Sequence, residues 1–174
     1  MTDPLAQFPE PGSTPDLRGL LLDYLDYFRG VVAAKLAGLS PDQVTGSVVP
    51  SGWTPAGLAL HLANVERRWL VWGFLGEQVD EPWADTADGG GWRTPDLSPD
   101  DLRAMLDQTA ARTRAIVEGH ELTETARVGG RFADLASAPQ LQWILLHLIQ
   151  EYARHAGHLD IARELIDGRT GEDE

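Results

Sequence analysis

The stretch from Trp143 to Glu164, WILLHLIQEYARHAGHLDIARE, decides how the chain folds. Around and within it, Leu141, Leu145, Leu148, Tyr152, Leu159 and Ile166 recur at the spacing of one face of an α-helix. At about 100° per residue, His147, Glu151, His155 and His158 fall in a second stripe roughly 80° wide. Leu148, Tyr152 and Leu159 border that stripe, so the polar groups run along the edge of a core and not along a solvated back. A carboxylate held among imidazoles there is costly unless it is paired or bound to a cation. Side chains four apart share a helix face, and Glu151 is four from His147 and four from His155; spacing leaves both pairs open.

A second polar residue sits on an apolar face further back. His61 lies inside the arc of Leu58, Leu62, Val65 and Trp69, at a core-facing position where a carbonyl, Glu151 or a metal must satisfy it. One histidine from this helix and two ligands from the last would make a three-ligand site with an open coordination position. His158 is placed to bind the metal, orient a ligand or carry a proton. Arg154 and Arg68 lie near the angular positions of the ligand stripes and are candidates to hold an anionic substrate. Gly157, worse in a helix than alanine by about 1 kcal/mol, points to a close approach by a neighbouring backbone or ligand. His120, after Gly119, reads as a helix-terminal surface residue.

The helix boundaries are legible. Thr14-Pro15, Ser40-Pro41, Thr54-Pro55 and Ser98-Pro99 each pair a hydroxyl cap with proline at the first helical position, and Ser40 with Gln43 makes a capping box. Ser137-Ala138-Pro139 marks a fifth start with alanine in the cap. Gly38, Gly76, Gly119 and Gly168 mark the ends. Four long helices follow, Pro15 to Ala37, Pro55 to Leu75, Pro99 to Glu118 and Pro139 to Asp167, with a short turn after Ser40. Leu17, Leu20, Leu21, Tyr24, Leu25 and Phe28 trace a face of the first; Leu102, Met105, Leu106, Thr109 and Ile116 trace one of the third. Loops beyond about 15 residues tend to carry function. Glu77 to Leu97, with Trp83, Trp92 and Gly89-Gly90-Gly91, is a candidate site wall, and Glu121 to Ala138 holds Val128-Gly129-Gly130-Arg131-Phe132, a possible small hairpin.

Composition narrows the chemistry. The chain has 174 residues, the size of one domain, expected to span 1–174 with 1–14 and 169–174 flexible. It lacks cysteine, so metal ligands must be His, Asp or Glu, and a thiolate nucleophile of its own is excluded. Its 27 acidic against 14 basic residues, a net charge of −13, would repel nucleic acid and anionic membranes. The apolar runs fall short of the roughly 20 residues of a membrane span, and Met1 to Pro15 does not have the form of a secretory signal. A cytoplasmic location is expected. Gly89 to Gly91 lacks the lysine and helix of a phosphate loop, no serine stands in a nucleophile elbow, and the His-Glu-x-x-His pattern is missing.

Thr54 to Leu62, TPAGLALHL, with Val65-Glu66-Arg67-Arg68-Trp69, resembles the second-helix region of the DinB-like superfamily. Trp143 to Glu164 resembles the last helix of its actinobacterial branch, which includes mycothiol-dependent enzymes such as maleylpyruvate isomerase. The likeness runs from about Pro15 to Gly168 and implies an all-α, DinB-like four-helix bundle with a long crossover connection. It implies a divalent metal, zinc before nickel, held by His61, Glu151 and His155; glutamate at position 151, where many relatives have histidine, is the choice of the thiol-using branch. His147, His158, Arg154, Arg68, Trp83 and Trp92 then become candidates for lining the pocket or orienting its ligands. The implied activity is a metal-dependent thiol transfer or isomerisation, with mycothiol as cosubstrate and an electrophilic small molecule as its partner. The alternatives are a DinB-like protein that binds metal or ligand without turnover, and a metal-dependent hydrolase. A homodimer through the flank of a bundle helix is compatible with this fold.

Overall fold

The computed structural model describes residues 8–10, 12 and 16–170. Five α-helices follow in order: α1 Leu17–Leu36, α2 Pro41–Thr45, α3 Pro55–Glu66, α4 Pro99–Glu118 and α5 Leu141–Asp167. No strand or sheet occurs among the described residues. The four long helices form an all-α bundle of DinB-like architecture, in which α1 packs along α5 and α4, and α3 packs along α4 and α5. Consecutive long helices α1 and α3 therefore lie across the bundle from one another, as do α4 and α5, and the chain must cross an end of the bundle between them.

Local sequence explains most boundaries. Ser40 and Ser98 accept from the amides of Gln43 and Asp101, and the side chains of those two residues reach back to the cap amides. Thr54 caps α3 through the Gly57 amide. The first helix starts later than expected, with Asp16 as its cap accepting from Gly19 at 2.8 Å; the expected Thr14-Pro15 start lies outside the described residues. The expected flexibility of both termini also falls largely outside them, although Phe8 packs edge-on against Tyr24 and Tyr27. At α5 the expected Pro139 start moves to a Gln140 cap that contributes no side-chain bond. The amides of Leu141 and Gln142 are satisfied instead by the carbonyls of Glu124 and Leu122, so the preceding loop does the capping.

Helix ends are closed by arginines as well as by glycine. Gly38, Gly76 and Gly168 take left-handed conformations as expected, but Gly119 is right-handed, at φ −85°. The reason lies across the bundle: Arg18 of α1 donates to the carbonyls of Val117 and His120 and secures the end of α4 without a left-handed residue. Arg163 of α5 does the same for α1, donating at 2.7 Å to both Lys35 and Ala37 carbonyls.

The second long helix is not uniform. From Arg67 to Phe74 the chain widens into a π-helix, its end marked by the Leu75 amide bonding to the Leu70 carbonyl at 2.9 Å. Such widened turns often occur at functional sites. The loop after α4 docks on this segment: the Arg127 amide bonds to the Phe74 carbonyl and the Arg131 amide to that of Trp72. This contact explains Gly129-Gly130. A Cβ at Gly130 would stand 2.1 Å from the Trp72 carbonyl oxygen, so the loop can reach the helix only with glycine there. The expected hairpin is thus a tight turn with a single bridge between Val128 and Phe132, shaped by docking and not by strand pairing.

Burial places α3 at the centre. Every residue from Pro55 to Glu66 except His61 is buried, the pattern of a helix surrounded on all sides. On α1 the inner face is Leu21, Leu22, Leu25, Arg29, Val32 and Leu36; it is rotated from the expected face, and Leu17 and Leu20 are exposed. The rotation admits Arg29 to the core, where it meets Glu66. Arg29 Nε donates to Glu66 Oε1 at 3.1 Å, Tyr152 donates to the same oxygen at 2.6 Å, and Arg29 Nη2 and Thr113 both bond to Oε2. One buried carboxylate thereby ties α1, α3, α4 and α5 together. It also pushes the Tyr152 hydroxyl further up, beyond the rise that burial causes by itself. Removing one partner of a buried pair leaves the other charge uncompensated, so Glu66→Ala should lower the unfolding free energy by about 3–5 kcal/mol in urea titration. A loss below about 1 kcal/mol would mean that the cluster does not hold the bundle.

Candidate metal centre

His61 is the exception in the buried run of α3 because it faces the polar stripe of α5. Its Nε2 lies 3.9 Å from Glu151 Oε2, and His155 Nε2 lies 3.3 Å from the same oxygen. One donor atom from each of His61, Glu151 and His155 falls within 4.8 Å of the others. Both nitrogen–oxygen separations exceed the usual 2.7–3.2 Å of a hydrogen bond, so the three groups converge on a common point more than they bond to each other.

The opposite ring atoms are already engaged. His61 Nδ1 meets Asp85 Oδ2 at 2.8 Å, and since a carboxylate oxygen only accepts, the neutral ring carries its proton on Nδ1 and its lone pair on Nε2. His155 Nδ1 meets His158 Nδ1 at 3.0 Å; with His155 as donor, its Nε2 is likewise a free acceptor. Burial, with the nearby charges of His61, His158 and Arg154, pushes the His155 imidazole down to about 3, so the ring is neutral near pH 7. The donor set is two imidazole nitrogens and one carboxylate oxygen, each outer nitrogen anchored as metal-binding histidines usually are. These residues fit a divalent cation of the zinc type.

Glu151 has a second neighbour. His147 Nε2 is 3.7 Å from Oε1, and the His147 ring is stacked on Trp143 with centroids 5.5 Å apart and set edge-on to Trp69 at 4.6 Å. Burial lowers the His147 pKa more than Glu151 raises it. His147 thus braces the far side of the carboxylate, while His155 and His61 face its near side.

Two residues of the surround had no signal in the sequence. Asp85 is 2 % exposed and, besides His61, takes two hydrogen bonds from Arg68, one of them 3.1 Å long. Burial pushes its carboxyl up, but the bonds from His61 and Arg68 outweigh that and hold it below 3.8. Trp53 packs against Trp92 and His158, with centroids 6.2 and 6.0 Å apart. Asp85 is one of many acids in an acidic loop, and only the fold reveals that it is the buried one.

The other candidates separate cleanly. Trp92 lines the site, stacked on His61 at 4.6 Å and edge-on to His155 at 5.0 Å. Trp83 does not; it is 54 % exposed and lies outside, over the Arg68 guanidinium at 4.6 Å. Arg68 is committed to Asp85 and the Pro82 carbonyl and so has no free donor face of the kind an anionic substrate needs. Arg154 is exposed. Around Gly157 there is no close approach at all, since an added Cβ would meet nothing within 4 Å, and its helix cost stays unexplained. His120 bonds to Glu124 at 2.9 Å, away from the site.

The fold and this convergence of side chains define a DinB-like helical bundle with a candidate His/Glu/His cation site. The chain belongs to the mycothiol S-transferase family, whose sequence model, described as Mycothiol-S-transferase, matches residues 20–168. Among solved structures it is similar to one titled as the crystal structure of a conserved protein of locus from Enterococcus faecalis, with a TM-score of 0.59 and 16 % identity over 90 % of this chain and 100 % of that one. At that identity the likeness speaks for the fold alone. No curated protein matches the chain in sequence.

Asp85→Ala should leave the buried Arg68 charge unpaired and lower stability by about 3–5 kcal/mol, whereas Trp83→Ala, removing only a cation–π cover, should cost about 0.5–1 kcal/mol. Guanidinium titrations of the two variants would check this ordering; equal losses would refute the clasp.

Proposed function

We propose that this protein is a metal-dependent thiol transferase or isomerase that activates a low-molecular-weight thiol such as mycothiol at His61, Glu151 and His155. The observation that carries the reading is the convergence of His61 Nε2 and His155 Nε2 on one Glu151 oxygen, within a family described by thiol transfer. A divalent cation, zinc first and nickel second, would supply Lewis acidity that brings a thiol's proton loss toward neutral pH. Without cysteine the chain has no thiol of its own, so the nucleophile must come from a small molecule.

The chain's own residues have assigned parts. Asp85 and His158 hold the outer nitrogens and keep both rings in the tautomer that leaves Nε2 free. Glu151 lends one negative charge, which strengthens cation binding and moderates acidity. His147, neutral through burial and 3.7 Å from Glu151, is placed to take the thiol's proton. Trp53 and Trp92 shield one side from water. On the other side a groove of about 560 Å³, walled by Trp69, Phe132, Trp143 and Leu146, has room for the apolar body of an electrophile. No helix of the described residues is long and apolar enough to cross a membrane, in keeping with a cytoplasmic enzyme working on small molecules.

Purified protein should carry about one equivalent of divalent metal by elemental analysis, lost in His61→Ala and kept in His147→Ala. Metal-loaded protein given mycothiol and a halogenated bimane should form the thioether and release halide, and His147→Ala should slow this by about 10²-fold or more. Turnover of an ester with water alone would favour the hydrolase, and metal without either reaction would favour a binding protein.

A further inference from the structure

Arg131 is placed unlike any other guanidinium in the chain. It stands on the face of Trp69 at 4.2 Å, with Trp72 and Trp83 at 5.9 and 5.8 Å, in a box of three indoles. The other arginines that are not solvent-exposed each reach a carboxylate or a backbone carbonyl: Arg18, Arg29, Arg67, Arg68 and Arg163. Among the described residues Arg131 has neither, in a chain with 27 acidic side chains to choose from. Its position is also electrostatically unfavourable, since burial and the Arg68 charge both push its pKa down, and its own charge helps to push His147 down.

The placement is deliberate in one respect. The Arg131 amide is bound to the Trp72 carbonyl, and Gly130 lets the loop come close enough to make that bond, so the backbone of Arg131 is anchored to the π-helix. Trp69 links it to the site: the same indole carries Arg131 on its face, holds His147 at 4.6 Å and walls the groove. An uncompensated guanidinium on aromatic faces, with its donors still open, is suited to a planar anion gripped by two parallel hydrogen bonds.

We infer that Arg131 is an anion-binding residue that receives a carboxylate of the electrophilic substrate, so the substrate class is an electrophile bearing a carboxylate. This rests on the proposed thiol chemistry only in assigning the carboxylate to the electrophile. The anion supplies the missing counter-charge and orients the electrophile's apolar body along Trp69 toward His147 and Glu151. Substrates without a carboxylate lose that grip and bind less tightly.

The test uses the full chain, labelled with ¹⁵N and titrated with sodium propionate, with sodium chloride of equal ionic strength as reference. The Arg131 Nε–H and Trp69 indole signals are followed by NMR in the parent, Arg131→Gln, Arg131→Lys and His61→Ala proteins. The expected result is saturable shifts specific to propionate, weakened by about tenfold or more in Arg131→Gln and partly kept in Arg131→Lys. They should be unchanged in His61→Ala, because the anion site does not need the cation. Shifts that chloride reproduces, affinity unchanged in Arg131→Gln, or binding abolished in His61→Ala would each overturn the inference, the last by placing the carboxylate on the metal centre. Dispersed spectra of each variant guard against misfolding, and Arg131→Lys supplies a second, milder substitution. Metal content plays no part in this readout, so loss of the thiol-transfer reading and loss of this one are separable.

Discussion

The candidate centre depends on the buried carboxylate of Asp85. It sits on a loop between helices, yet it fixes a helix side chain: with one oxygen on His61 Nδ1 and both on Arg68, it joins the loop to α3 and the π-helix in one clasp. Without it, His61 is an imidazole at the edge of a core with two equivalent tautomers and no preferred direction. With it, the ring is held by Nδ1 and Nε2 faces Glu151 on α5. The cost of burying Asp85 is offset by Arg68, and Arg68 in turn is shielded from water by Trp83. A loop residue, a helix residue and a solvent-facing indole thus act together to orient one nitrogen.

The rest of the bundle supplies rigidity for that nitrogen's partners. The Glu66 cluster connects all four long helices close to the junction where α3 passes into the π-helix, and it fixes the depth of α3 against α5. Since His61 lies on α3, and Glu151 and His155 lie on α5, that depth sets the spacing of the three donor atoms. Sites built on helices whose relative position is locked hold their geometry better than sites built on loops. Arg18, reaching from α1 to the end of α4, and Arg163, reaching from α5 to the end of α1, close helix ends across the bundle and add two further ties.

Much of this was legible in the sequence, and the gaps have physical causes. The stripe on Trp143 to Glu164 and the solitary His61 were readable because periodicity survives in any helix, and the caps at Ser40, Thr54 and Ser98 were readable because their chemistry is local. The inner face of α1 is not legible from periodicity, since Arg29 counts as polar in a pattern, although a partner 37 positions away lets it replace an apolar residue in the core. The π-helix left no trace because one extra residue per turn has no composition of its own; it is stabilised by the loop that docks on it. Asp85, Trp53 and Arg131 share a different reason. Each lies outside the long helices, where no period exists, and each acquires its role only when chain segments far apart in sequence are brought together.

X-ray absorption at the zinc edge of protein loaded with zinc, before and after adding mycothiol, tests the central claim most directly. The expected spectrum shows two imidazoles and otherwise oxygen or nitrogen neighbours at first, with one sulfur appearing in the shell once the thiol is present. A shell without two imidazoles, or one that gains no sulfur on addition of the thiol, would contradict the account.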